Sequence, residues 1–73
     1  MKPGEHVKVI GGTFIGEVGQ VVGRREAFAL WEKVGGEKPG PKDPPGMVWV
    51  VIPVFDKAVP VLLEAFQLEK VDT

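Results

Sequence analysis

The chain has 73 residues, no cysteine and one histidine, so disulfide bonds and the usual zinc-binding sets are excluded. Nine basic and ten acidic residues give a net charge of −1, which is not the charge of a nucleic-acid-binding surface. The longest apolar run, Met47 to Phe55, is too short to span a bilayer and contains Pro53. These limits predict one compact cytoplasmic domain over 1–73, monomeric and without a cofactor, a metal site or a membrane contact.

The first 24 residues are predicted to form two short strands joined by a glycine-containing loop. The first strand lies near His6–Ile10 and the second near Glu17–Arg24. Three loop glycines can supply the positive φ of a tight reversal: Gly11, Gly12 and Gly16. Gly19 lies inside the second strand, where glycine is typical of a bulge or a close backbone approach.

A hairpin is predicted from Val48–Phe55 and Ala58–Glu64 around a two-residue loop, Asp56–Lys57, with Phe55 opposite Ala58. Side chains alternate between the two faces of a strand. The core face then pairs Val54 with Val59, Ile52 with Val61 and Val50 with Leu63. The other face pairs Pro53 with Pro60, Val51 with Leu62 and Trp49 with Glu64. Trp49, Val51 and Leu62 thus form an outward apolar patch that should be covered. One helical turn, Ala65–Gln67, and a closing strand, Leu68–Val71, follow.

Residues 25–47 interrupt the strand pattern. The second half, from Gly35 to Gly46, holds four of the seven prolines and predicts a mobile loop. The first half favours a short helix, because four apolar residues follow helical spacing: Ala27, Leu30, Trp31 and Val34. Strand alternation fits Phe28, Leu30 and Val34 nearly as well. We expect this segment, with Trp31 on its apolar face, to cover the patch internally; a self-association interface is the alternative.

Two segments resemble a known family. Residues 2–22 resemble a KOW motif, and residues 50–71 resemble, without a gap, the last half of the C-terminal domain of the transcription factor NusG. The shared residue types in the second segment are Phe55, Ala58, Pro60, Val61, Leu63, Glu64, Gln67, Glu69, Lys70 and Val71. The resemblance implies an all-β fold, a small five-stranded SH3-like (KOW) barrel in which 25–47 is an insertion between strands 2 and 3.

The resemblance also implies a protein-docking surface at the loop after the first strand and at the hairpin tip. That surface corresponds to Phe14, Val54, Phe55 and Lys57, and family partners are a ribosomal protein of the small subunit, Rho or the transcription machinery. Glu17 and Asp56 depart from the family pattern. The expected function is therefore protein binding in transcription elongation, antitermination or transcription–translation coupling. The initial methionine favours a natural short protein without the polymerase-binding domain of NusG-type factors.

Catalysis is not expected, since His6 has no cysteine or serine anywhere in the chain to activate as a nucleophile. Nucleic-acid binding should be weak at most, through three basic residues: Lys8, Arg24 and Arg25. Two alternatives remain. The chain could be an RNA-binding or ribosome-associated KOW protein, which the near-neutral charge disfavours, or an SH3-like accessory subunit of an enzyme complex, which the outward apolar patch favours.

Overall fold

The computed structural model describes residues 2–34 and 45–71. Five strands form one antiparallel sheet: β1 (His6–Val9), β2 (Val18–Val21), β3 (Met47–Val54), β4 (Lys57–Glu64) and β5 (Leu68–Lys70). One α-helix, α1 (Arg24–Val34), joins β2 to the segment before β3, and a 3₁₀ helix (Ala65–Gln67) joins β4 to β5. The sheet order is β4-β3-β2-β1-β5, and the sheet is open, with β4 and β5 as its edges. The five strands and the short helical turn confirm the predicted element order; the predicted Pro/Gly-rich loop lies largely outside the described residues.

The main core lies on the inner face of the sheet. Its buried members come from all five strands: Val7, Val9, Val21, Val50, Ile52, Leu63 and Leu68. β1 and β2 alternate exposed and buried residues because only one face of each strand is packed. β2 is shorter than predicted and ends at Val21, and Arg24 is the first residue of α1. The strand stops there because the Gly23 carbonyl accepts the Ala27 N–H at 3.0 Å, which begins the helix.

At Gly19 the backbone of β2 lies close to β3. A Cβ at this position would overlap the carbonyl oxygen of Val51 and would lie 2.8 Å from Cγ2 of Ile52. The glycine is therefore needed for space, as its position inside the strand pattern indicates. Of the three loop glycines, Gly12 and Gly16 have positive φ values of 87° and 94°, whereas Gly11 does not.

The predicted hairpin register is wrong by two residues. Val54 pairs with Lys57, and the turn consists of Phe55 and Asp56, not Asp56 and Lys57. Trp49 consequently pairs with Leu62, and Val51 with Pro60. The inner and outer faces are unchanged, because a shift of two residues preserves side-chain alternation.

The two prolines explain the observed register. Residues that flank a two-residue turn form a hydrogen-bonded pair, and hydrogen-bonded and non-hydrogen-bonded pairs then alternate along the hairpin. The predicted register would place Pro53 opposite Pro60 in a hydrogen-bonded pair, where neither residue has an N–H to donate. In the observed register Pro53 faces Ala58 and Pro60 faces Val51, both in non-hydrogen-bonded pairs. No β3–β4 hydrogen bond is lost.

Pro53 also limits the pairing of β3 with β2. At a non-hydrogen-bonded position the backbone groups point to the strand on the other side, so Pro53 offers β2 no donor. The β2–β3 register contains only Gln20 with Val51 and Val21 with Val50. The end of the hairpin therefore projects beyond the ladder that β2 and β3 share.

Helix α1 packs on the outer face of β3 and β4. It forms what we call the outer cluster, in which Val22, Ala27 and Trp49 are buried, and Phe28, Trp31, Val51 and Leu62 are partly buried. The rings of Phe28 and Trp49 meet edge to face with centroids 6.3 Å apart. The segment after β2 is thus a helix and not a strand, and it lies on the apolar patch.

We expect Trp31→Ala to lower the free energy of unfolding by about 2 kcal/mol, because a half-buried ring loses its apolar contacts. Trp31→Phe should cost less than half as much. Nε1 of Trp31 is buried without a hydrogen-bond partner among the described residues, so the smaller ring removes an unpaired donor. Urea unfolding at several protein concentrations measures both effects. A stability that rises with concentration would instead assign the outer cluster to self-association.

Candidate protein-docking site

The candidate site is centred on the turn between β3 and β4. Phe55 and Asp56 have φ values of 48° and 66°, and they are the only residues other than glycine with positive φ in the described part of the chain. Positive φ at both central residues of a two-residue hairpin is the type I′ geometry, which favours Asn and Gly. The Phe55 side chain is 95% exposed. The turn therefore presents a phenylalanine ring to solvent in a backbone conformation that phenylalanine disfavours.

The positive φ of Phe55 destabilises the fold, and burial of the side chain does not compensate for it. A left-handed residue with a Cβ costs about 1–2 kcal/mol, and a bulky side chain there is rare. Burial does not offset the cost, because nearly all of the Phe55 ring is exposed. Backbone strain that the fold does not need is concentrated at functional sites, which makes this turn the first candidate for one.

The other three predicted docking residues differ in exposure. Lys57 is exposed at the first position of β4. Phe14 and Val54 are half-buried, and both pack against the main core. Backbone hydrogen bonds hold the loop that carries Phe14, among them those from Glu17 N to the Phe14 carbonyl and from Gly16 N to the Val9 carbonyl. Phe14 and Val54 thus anchor the two segments on one core, while Phe55 and Lys57 face solvent.

A groove of about 400 Å³ adjoins the turn and the ends of β2 and β3 beside it. One wall is formed by Asp56, Lys57 and Ala58, and the remainder by His6, Val18, Gly19, Gln20, Val51, Ile52 and Pro53. Val18 is 47% exposed and adds apolar surface near the turn. Sequence reasoning missed Val18, Pro53 and Ala58 as site residues. The alternation of β2 identifies Val18 as outward-facing, but the groove depends on how the hairpin end projects from the sheet.

A second exposed phenylalanine lies elsewhere. Phe66 is 75% exposed in the 3₁₀ helix. The preceding residue, Ala65, donates its N–H to the carbonyl of Gly46 at 2.9 Å, and Gly46 immediately precedes β3. Phe66 is therefore near the start of β3, whereas Phe55 follows the end of that strand. The two rings belong to different surfaces.

The residues of the predicted apolar patch do not form an exposed site. The predicted basic residues do not form one either. Trp49 is 6% exposed beneath α1, and Trp31, Val51 and Leu62 pack in the same outer cluster. Lys8 is paired in register with Val18 and Glu69, near the start of β2. Arg24 and Arg25 follow the other end of β2, with the Arg24 guanidinium 4.7 Å from the centre of the Phe28 ring. The three basic residues do not form a continuous stripe.

Among residues 2–34 and 45–71, no cluster of histidine, aspartate and glutamate has the size of a metal site. No helix in this part of the chain combines the length and apolar character that crossing a membrane requires. In comparisons with known proteins, neither a family model nor a curated protein matches the chain.

Proposed function

We propose that the chain is a non-catalytic protein-binding module of the KOW type, with an SH3-like barrel fold. Its docking surface consists of Phe14, Val54, Phe55 and Lys57, extended by Val18 and the groove. By its resemblance to the NusG C-terminal domain, the module acts in the cytoplasm in transcription elongation, antitermination or transcription–translation coupling. The partner is a ribosomal protein of the small subunit, Rho or another part of the transcription machinery.

The strained and exposed Phe55 supports this proposal most directly. A partner that buries the ring would recover apolar surface that the fold leaves in water, and a large aromatic residue is a frequent interface hot spot. The turn is held between two strands of eight residues each, so the ring is presented from a supported backbone. Presentation from an ordered turn lowers the entropy cost of binding.

The two alternative functions receive less support. The accessory-subunit reading depended on an outward apolar patch, and α1 packs on that patch. The RNA-binding reading needs a basic surface with interleaved aromatics, and Lys8 is separated from Arg24 and Arg25 by the length of β2.

Site-specific photocrosslinking tests the proposed docking surface. p-Benzoylphenylalanine would replace Phe55 in one variant and Phe66 in a matched control, because both rings are exposed but lie on different surfaces. After irradiation in cells, we expect one discrete crosslinked protein from position 55 and not from position 66. Equal crosslinking from both positions, or none from position 55, would contradict docking at the turn.

We expect nucleic-acid binding to be weak and to decline shallowly with salt, because few phosphates can be neutralised at once. Fluorescence anisotropy with a short labelled RNA, measured at two salt concentrations, tests this. Tight binding that persists at physiological salt would favour the RNA-binding alternative.

A further inference from the structure

The backbone groups of β2 point alternately to the two neighbouring strands. On the β1 side, the Glu17 carbonyl and the Val21 N–H each form a hydrogen bond of 2.8 Å. The N–H and C=O groups of Val18 and Gln20 therefore point the other way, to β3. Gln20 uses this side to pair with Val51, but the β2–β3 register contains no pair for Val18.

Pro53 is the residue that would face Val18 if the ladder continued by one more hydrogen-bonded pair. It has no N–H and so cannot donate to the Val18 carbonyl. The Val18 N–H does not reach the Pro53 carbonyl either, because the pairing ends at Gln20. Among residues 2–34 and 45–71, neither backbone group of Val18 has a hydrogen-bond partner.

The groove beside the turn lies at this split between the strands. It is lined by Val18 and Gly19 of β2 and by Val51, Ile52 and Pro53 of β3. Val18 and Pro53 are both exposed. The groove thus combines apolar surface with one unpaired backbone donor and one unpaired acceptor. A partner that covers the groove has to pair both groups, because a buried polar group without a hydrogen bond is costly.

We propose that the split between β2 and β3 receives an extended segment of the partner protein, whose backbone pairs with the N–H and C=O of Val18. This inference rests on the proposed function, since the groove adjoins the turn that presents Phe55. An extended peptide carries a donor and an acceptor at each residue, and its alternate side chains meet the apolar lining. A phosphate group offers acceptors alone and would leave the Val18 carbonyl unpaired.

A random library of linear peptides displayed on phage provides the probe, with selection on the wild-type domain and counter-selection on Phe55→Ala. In the test variant, Val18 is replaced by its α-hydroxy acid analogue, which keeps the side chain and substitutes an ester oxygen for the N–H. We expect the selected peptides to bind this variant about threefold to tenfold more weakly than the wild type, which is the range of one hydrogen bond.

The same ester substitution at Lys70 is the matched control. Val71 donates its N–H to the β1 side of β5, so the N–H of Lys70 points to the free edge of the sheet. Each ester also weakens the preceding carbonyl as an acceptor, and in both variants that carbonyl, of Glu17 or of Glu69, bonds to the β1 side. Peptide affinity should not change in the Lys70 variant.

Amide hydrogen exchange in the unmodified chain provides a second measurement that does not depend on folding of a variant. The Val18 N–H should exchange fast in the free protein and more slowly with a selected peptide bound, whereas exchange at Lys70 should not change. Phe55-dependent peptides that bind the Val18 ester variant with wild-type affinity, or that leave exchange at Val18 unchanged, would overturn the backbone pairing and leave docking at Phe55 intact. A failure to recover any Phe55-dependent peptide would overturn both proposals.

Discussion

Gly19→Ala is expected to lower the free energy of unfolding by about 3 kcal/mol, as severe overpacking does. The new Cβ would overlap the backbone oxygen of Val51, which cannot rotate away as a side chain can. β2 and β3 would have to separate along the short ladder that joins them. A domain of this size has a total stability of the order of 5 kcal/mol, so most of the margin would be lost.

Gly23→Ala is the matched control for this substitution. No atom would lie within 4 Å of a Cβ at Gly23, and its φ is not positive. The same chemical change should therefore cost much less there, at most about 1 kcal/mol, because Gly23 is the N-cap of α1 and alanine caps a helix less well than glycine. Urea unfolding measures both variants. Equal effects at the two glycines would contradict the close approach of β2 and β3 at Gly19.

The hairpin shows how much of the fold could be predicted from the sequence. Alternation assigned Val50, Ile52 and Leu63 to the inner face correctly, but it does not distinguish registers that differ by two residues. Pro53 and Pro60 are the residues that distinguish the two registers. Their lost N–H groups are harmless only at non-hydrogen-bonded pairs, and this condition excludes the predicted turn at Asp56–Lys57.

The sequence predicted that this segment is a helix, but it did not predict all of the contacts that the helix makes. Apolar spacing indicated a helical face with Ala27 and Trp31, and both residues pack in the outer cluster. Phe28 was missed because it is one helical step, about 100°, from the centre of that face. Its long ring nevertheless reaches Trp49. Side-chain reach depends on the tertiary position of the helix, which periodicity does not supply.

The candidate site could be predicted only in part. Phe55 was placed at the hairpin tip by resemblance, but as a strand residue beside the turn. Its backbone strain depends on the register and could not be inferred before the turn was assigned to Phe55 and Asp56. The groove could not be predicted from the sequence, because it depends on the three-dimensional path of the hairpin beyond Pro53.

Phe55→Asn should raise the free energy of unfolding by about 1 kcal/mol, because asparagine suits the first central position of a type I′ turn. The exposed ring contributes little burial, so little is lost on its removal. Binding of the protein partner should nevertheless weaken by at least about 2 kcal/mol, or about 30-fold, through loss of the aromatic anchor.

Phe55→Ala separates the two effects. Alanine retains a Cβ at positive φ and so keeps most of the strain, while the ring is lost. Its unfolding free energy should remain close to that of the wild type, and its affinity should fall as far as that of Phe55→Asn. A large loss of stability in either variant would mean that Phe55 is part of the core.

The most direct measurement combines stability and binding in one sample of Phe55→Asn. Thermal unfolding would be recorded beside titration with the partner that crosslinks at position 55. We predict a midpoint several degrees higher than that of the wild type, about 4–8 °C for a gain of 1 kcal/mol, together with a roughly 30-fold loss of affinity. A lower midpoint, or an affinity equal to that of the wild type, would contradict a strained turn that serves as the docking anchor.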